Sequence, residues 1–366
     1  MLGVFKMNFK RMAIEEWFDK YQYEIDYDIG ESGVKFFDLK TLGIDLANIP
    51  LRYGYHKGNP KLRELVSEQY DGLSSENIAV TTGASEANFA IIASAIDSDD
   101  HMIIEHPNYP SNYEVPTSLN MNFDFLKLKF EEKFRPNVER LESLLRKNTK
   151  LVSLTNPNNP TGSTLTEEEL LKLIDLAESN NFYLLLDETY RELYFGKPPT
   201  PAASLSSKAI SISSMSKAYG LPGIRIGWVA ADKSIIDAIC AVREQLTISN
   251  SSLGEAVAEA VLRRKDDLLK EIKVRVRSNF TILEEWFSKQ KNLDWIPPSG
   301  GVVCFPRFRT STKNLCKILI EKYRTFVVPR YCFGLDEFFR LGFGGNKEEL
   351  IEGLKCVDSA IREITE

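Results

Sequence analysis

The chain has 366 residues, 43% hydrophobic and 27% charged, a balance typical of folded domains that excludes collagen-like and disordered classes. That length exceeds the size at which one hydrophobic core usually stops growing, so two lobes are expected. A net charge of -6 and a pI near 5.5 exclude the broad basic face that nucleic acid requires.

The five cysteines, Cys240, Cys304, Cys316, Cys332 and Cys356, form no C-x-x-C pair and are odd in number, which reads as reduced, mostly buried thiols. The apolar run before Lys6 is too short for a signal peptide, and no later run approaches a membrane span. A cytoplasmic location without membrane contact is the expectation.

In chain order, residues 12–23 have a helical apolar pattern, and the glycines of 27–34 mark an irregular turn. Together they read as an N-terminal arm, 1–45, that partly joins a small lobe. From Pro60, helical stretches alternate with apolar runs rich in branched residues at 78–82, 102–104, 123–128, 151–155, 182–186, 209–213 and 226–230. Such alternation predicts a large α/β lobe, 46–250, with a mostly parallel seven-stranded sheet covered by helices. After Ser252 the pattern changes to charged amphipathic helices, with 262–289 close to continuous. Strand-like segments return at 301–308, 325–328 and 338–344 before a final helix over 347–363, and 251–366 reads as a smaller α/β lobe.

Ligands of open α/β sheets bind beyond the carboxyl ends of the strands, so the residues that follow each apolar run carry most information. Lys217 lies just past the run 209–213 and is followed by Arg225. An isolated lysine is usually a surface residue. Here the hydroxyls of Ser214 and Ser216 and the cation of Arg225 form a set that suits a phosphate dianion, with Lys217 able to form an imine. The run 182–186 ends in Asp187, a carboxylate that needs either a helix-capping role or a cationic partner such as a pyridinium nitrogen. Two Asn-Pro pairs and Gly162 make 155–162 a rigid turn, which would fix the Asn159 amide. Thr82 to Glu86, again strand then helix, would aim the amides of Ala84 and Ser85 at an anion.

Taken in this order, the segments resemble the class I/II aminotransferases, the type I fold of enzymes that use pyridoxal 5′-phosphate (PLP). The most specific pieces are Asn156 to Gly162, the Asp187 and Tyr190 pair, and Ser214 to Lys217 with Arg225. The resemblance implies that Lys217 carries the cofactor as a Schiff base and then serves as general base and acid. It implies that Asp187 keeps the pyridine nitrogen protonated and that Asn159 and Tyr190 hydrogen-bond the phenolate oxygen. Tyr109 would stack on the cofactor ring. Gly83, Ala84, Ser85, Ser214, Ser216 and Arg225 would cradle the phosphate, joined by Tyr53 from a neighbouring subunit of a homodimer. Arg340 would bind the substrate α-carboxylate, with Gly33 and Asn159 beside the substrate.

The implied reaction moves an amino group between an amino acid and a 2-oxo acid. The arm from Gly30 to Val34 and the stretch from Tyr109 to Tyr113 are loosely similar to the capreomycidine-synthase-like branch, so a cyclase or a β/γ-eliminating lyase is the alternative. Arg330 stands where the family often has glycine. A transcription factor with an aminotransferase-like sensor is disfavoured, because family-like residues begin by about Gly30. The three histidines, His56, His101 and His106, lack ligand spacing, and no metal site is expected.

Overall fold

The computed structural model describes residues 9–97, 99–309 and 312–365. The run before Lys6 lies outside them. The described strands are β1 (Tyr27–Asp28), β2 (Ile78–Thr81), β3 (His101–His106), β4 (Asn122–Lys127), β5 (Thr149–Thr155), β6 (Tyr183–Asp187), β7 (Ala209–Ser214), β8 (Gly227–Ala230), β9 (Leu293–Asp294), β10 (Val303–Cys304), β11 (Arg307–Phe308), β12 (Thr325–Phe326) and β13 (Leu341–Gly342).

Seven of these form one sheet in the order β2-β8-β7-β6-β5-β3-β4. Its inner strands are buried on both faces, as helix-covered parallel strands must be: Leu184, Leu185 and Leu186 of β6 are all fully buried. β8 alone runs against its neighbours, pairing antiparallel with both β2 and β7. Two reversals restore direction, so β2 points the same way as β7. The helix Gly83–Ala95 therefore begins at the same sheet edge where β5, β6 and β7 end. The strand order turns back between β3 and β5, the kind of switch point at which open α/β sheets leave a crevice.

Short strands build a second, smaller lobe. β1 of the N-terminal segment pairs parallel with β12, whereas β9 pairs antiparallel with β11 and β10 antiparallel with β13. One expectation needs correction here. The stretch 301–308 is not one strand, because Pro306, which has no N–H to donate, separates β10 from β11, and the two pair with different partners. The stretch 262–289 is close to one helix: Lys265–Phe287 is continuous, and Arg263 and Arg264 separate it from Ser252–Leu262. The charges favour that break, with Arg263 beside one helix C-terminus and Asp266 and Asp267 in the first turn of the next.

Close backbone approaches tie the N-terminal segment to the C-terminal part of the smaller lobe. A Cβ on Gly342 would lie 1.9 Å from the Glu31 carbonyl oxygen, and one on Gly344 would lie 2.3 Å from that of Gly33. Only glycine lets the N-terminal segment lie this close to β13. No helix among the described residues is long and apolar enough to cross a membrane.

Candidate active site

A cavity of about 350 Å³ opens where β5, β6 and β7 end, and it is closed from the other side by the N-terminal segment and the approach to β13. Its lining includes Ala84, Ser85, Tyr109, Asn159, Asp187, Tyr190, Ser214, Ser216, Lys217, Arg225 and Arg340.

One end of the cavity is built to take an anion. Gly83 (φ 81°) opens the helix Gly83–Ala95, whose first amides have no intrahelical partner. A Cβ on Gly83 would come within 2.6 Å of Arg225 Nη2, so glycine is what allows the guanidinium to lie against the helix start. Gly227 likewise admits β8 against Ala84, whose N would be 2.8 Å from a Cβ there. Arg225 itself adopts the left-handed region (φ 54°), unusual for a residue with a Cβ. Its guanidinium donates only to the carbonyls of Pro222 and Thr82, and no carboxylate pairs with it among the described residues. A guanidinium so placed suits an anion.

Further along, Asp187 ends β6 facing the cavity. Its Oδ1 accepts from the Thr189 amide at 2.9 Å, and no cation pairs with it among the described residues. Burial pushes its carboxyl above the ordinary value, partly offset by the Thr189 hydrogen bonds. The Tyr190 hydroxyl is buried, with no hydrogen-bond partner among the described residues. An anion cradle, an unpaired carboxylate, an orphaned hydroxyl and the Lys217 amine thus line one cavity. That donor set fits a ligand with a phosphate, a protonated ring nitrogen, a phenolic oxygen and an aldehyde, each provided with one complement.

Lys217 Nζ pairs with Glu31 Oε1 at 2.9 Å. Burial disfavours the Lys217 ammonium, but the charge and hydrogen bond of Glu31 outweigh it and raise the lysine above its usual value. Conversely, burial would raise the Glu31 carboxyl, but Lys217, then Arg340 and the Ser32 amide, hold it down at about 2. Arg340 is only 1% exposed: Nη1 donates to Asn159 Oδ1 at 3.1 Å and Nη2 to Gly30 O at 2.8 Å, while Nε has no partner among the described residues. A buried guanidinium with an unused donor is poised for a carboxylate.

Beneath the cavity floor, Glu105 Oε1 accepts from the Thr155 amide at 2.5 Å, Asn158 Nδ2 at 2.9 Å and Asn108 Nδ2 at 3.3 Å. It binds together the loops that follow β3 and β5. Burial pushes its carboxyl up to about 8 despite those donors, and Asp187 adds repulsion. Folded Glu105 keeps its proton to about pH 8, whereas an unfolded glutamate titrates near 4.5, so this group costs stability as pH rises through that window. Glu105→Gln retains an acceptor oxygen and carries no charge. Between pH 5 and 8.5 the wild type should lose on the order of 2–4 kcal/mol relative to this variant, measured by urea unfolding at several pH values. Parallel pH curves would show that Glu105 ionises at no such cost.

Not every residue singled out from sequence reaches the cavity. Tyr53 is 79% exposed and sits in a surface hollow with Arg52, Tyr55 and Glu255. Gly33 contributes backbone near the lysine: a Cβ there would be 3.7 Å from Lys217 Cδ. Arg330 lies away from the cavity and pairs with Asp336 at 2.9 Å. The cavity also includes residues that no motif flagged. Glu31 had a faint signal, an acidic residue between two glycines of the arm. Glu15 and Phe18, on the helix Ala13–Tyr21, had none, because their contribution comes from tertiary packing; Glu15 accepts from the Tyr109 hydroxyl at 2.6 Å. Among the described residues no cluster of three or more potential metal ligands occurs.

Comparison with known proteins agrees with this geometry. The family model described as aminotransferase class I and II matches residues 45–357. Capreomycidine synthase of Streptomyces vinaceus is 28% identical over 361 residues, covering 95% of this chain and 93% of that protein. A PLP-dependent aminotransferase from Streptococcus suis superposes with a TM-score of 0.93 at 30% identity, over 98% of this chain and 99% of that one. The PLP-dependent cyclase OrfR superposes with a TM-score of 0.91 at 26% identity, over 99% of both chains.

Proposed function

Because the chain belongs to the class I and II aminotransferase family, whose cofactor is pyridoxal 5′-phosphate, we propose that it moves an amino group between an amino acid and a 2-oxo acid. The observation that carries this reading is the placement of Lys217 and Arg340 on one cavity with Glu31 between them in charge: a base at one side and an unused carboxylate-binding donor at the other. Arg340 suits reactions that keep the α-carboxylate and work at the α carbon.

In this reading Ala84, Ser85, Ser214, Ser216 and Arg225 hold the phosphate, with Gly83 providing the space. Asp187 keeps the ring nitrogen protonated, and Tyr190 and the remaining Asn159 amide hydrogens donate to the phenolic oxygen. The Tyr109 ring, whose hydroxyl is held by its hydrogen bond to Glu15, would help hold the cofactor ring in the cavity. When bound, the cofactor supplies an electron sink for the pair released at the substrate's α carbon. Arg340 orients the substrate carboxylate, and backbone at Gly33 bounds its other side. Lys217 holds the cofactor covalently through Nζ, and once released it moves the proton at the α carbon as base and then as acid. We read 46–250 as the cofactor-binding lobe, 251–366 as the small lobe and 1–45 as the arm that covers the substrate.

Tyr53 belongs to the proposal only if two copies assemble. Leu51, Tyr53 and Tyr55 are 81%, 79% and 64% exposed, a cluster of large side chains that a second subunit would cover. A homodimer would bring Tyr53 to the partner's phosphate site. Sedimentation should give about twice the chain mass of 41.6 kDa, and Tyr53→Phe should weaken cofactor retention without altering the mass. A monomer with full activity would remove Tyr53 from the site.

A second reading, a PLP-dependent cyclase or β/γ-eliminating lyase, is favoured by the likeness to capreomycidine synthase and OrfR. One experiment separates the two. The purified protein is incubated with each amino acid while the cofactor's absorbance and pyridoxamine phosphate are followed. Transamination predicts conversion that a 2-oxo acid reverses; release of ammonia, or a cyclised product without pyridoxamine phosphate, would support the second reading instead.

A further inference from the structure

Glu31 is held in place before it meets Lys217. Its Oε1 accepts from the amides of Ser32 and Gly33 and from Lys217 Nζ, each at 2.9 Å, and Gln22 Nε2 approaches Oε2 at 3.4 Å. The turn that carries it is itself fixed: Asp28 Oδ1 accepts from the Gly30 and Glu31 amides, both at 2.9 Å. The Val34 amide donates to the Lys217 carbonyl at 3.0 Å, and Arg340 Nη2 to that of Gly30 at 2.8 Å. The space left by Gly342 lets the Glu31 carbonyl seat against β13. The carboxylate is thus bolted to both the lysine segment and the arginine strand. Part-buried ion pairs give little net stability for their desolvation cost, so stability is a poor explanation of this arrangement.

We propose that Glu31 is a positioning residue for Lys217: it fixes Nζ within the cavity and stabilises the ammonium that Nζ becomes on accepting the substrate's α proton. The inference rests on the proposed reading of Lys217 as the base. In that step the α C–H bond breaks and an N–H bond forms, while the electron pair stays with the substrate carbon. The Lys217–Glu31 pair passes from a net charge of -1 to 0, so a carboxylate 2.9 Å away favours the transfer. The charged and titratable groups that face the pair are Arg340, Tyr190 and Asp28. Arg340 opposes the ammonium and the other two do not, which leaves Glu31 as its counter-ion.

The test uses the full chain in two forms. With cofactor removed, the protein is pulsed with an amine-selective acylating reagent at a series of pH values, and modification of the Lys217 peptide is read by mass spectrometry. In Glu31→Gln the acylation curve should move at least about one pH unit lower, since the lysine loses its counter-ion. In the holoenzyme kcat should fall about ten- to a hundredfold with KM changed less, and the acid limb of the kcat profile should move the same way. Glu31→Asp should recover part of both shifts. Unmoved acylation and pH-rate curves in Glu31→Gln would overturn the proposal, because loss of a merely structural contact would lower activity without shifting either curve. The acylation readout needs no turnover. Failure of every amino acid to convert the cofactor would therefore count against the proposed function, and an unshifted lysine against this inference.

Discussion

Lys217→Ala should lower turnover by ~10⁴-fold or more, because the variant loses both the covalent anchor and the group that moves the α proton. Its phosphate contacts should survive. Arg225 remains against the start of the helix Gly83–Ala95, placed by the glycine at 83 and independent of Lys217. The cofactor should therefore still bind, reversibly, as measured by dialysis against free cofactor, while single-turnover conversion of any amino acid disappears. The folded state should tolerate the change, since the pair it breaks is part-exposed to the cavity and leaves Glu31 with its two backbone amides. Turnover within tenfold of wild type would assign the base to another residue.

Asp187→Asn is expected to have the second largest effect, a loss on the order of 10²- to 10³-fold in kcat with cofactor still bound. Asparagine keeps the shape and can still accept the Thr189 amide hydrogen bond at 2.9 Å. It cannot supply the charge that stabilises a protonated ring nitrogen. In the wild type that charge is raised in energy by burial and lacks a cation among the described residues, which is why a cationic ring edge suits it. Stopped-flow absorbance of the half-reaction separates the outcomes: slow conversion with normal cofactor content supports the role, and a near-normal rate would show that no ring protonation is required.

The large sheet was legible because central strands such as β5 and β6 are apolar runs bounded by helical pattern, and burial on both faces leaves few other ways to place such runs. The small lobe was less so. Its strands are two residues each, too short for a period to register, and Pro306 divides what composition suggests is one strand. The long helix was legible, since Lys265–Phe287 fills nearly all of 262–289, and the charge order around Arg263 and Arg264 is a usable sign of where it starts.

In the site, Asp187, Ser214 and Lys217 stood out because they directly follow strands. Arg340 needed the family resemblance, since nothing in its neighbours announces that it is buried. Glu31 and Glu15 reach the cavity only because the N-terminal segment folds back over it, a long-range contact with no local pattern.

The measurement that tests the account most directly is borohydride reduction of the native holoenzyme followed by peptide mapping. The account predicts a single cofactor-bearing peptide, modified at Lys217. Attachment at any other lysine, or a cofactor that reduction leaves removable, would contradict it.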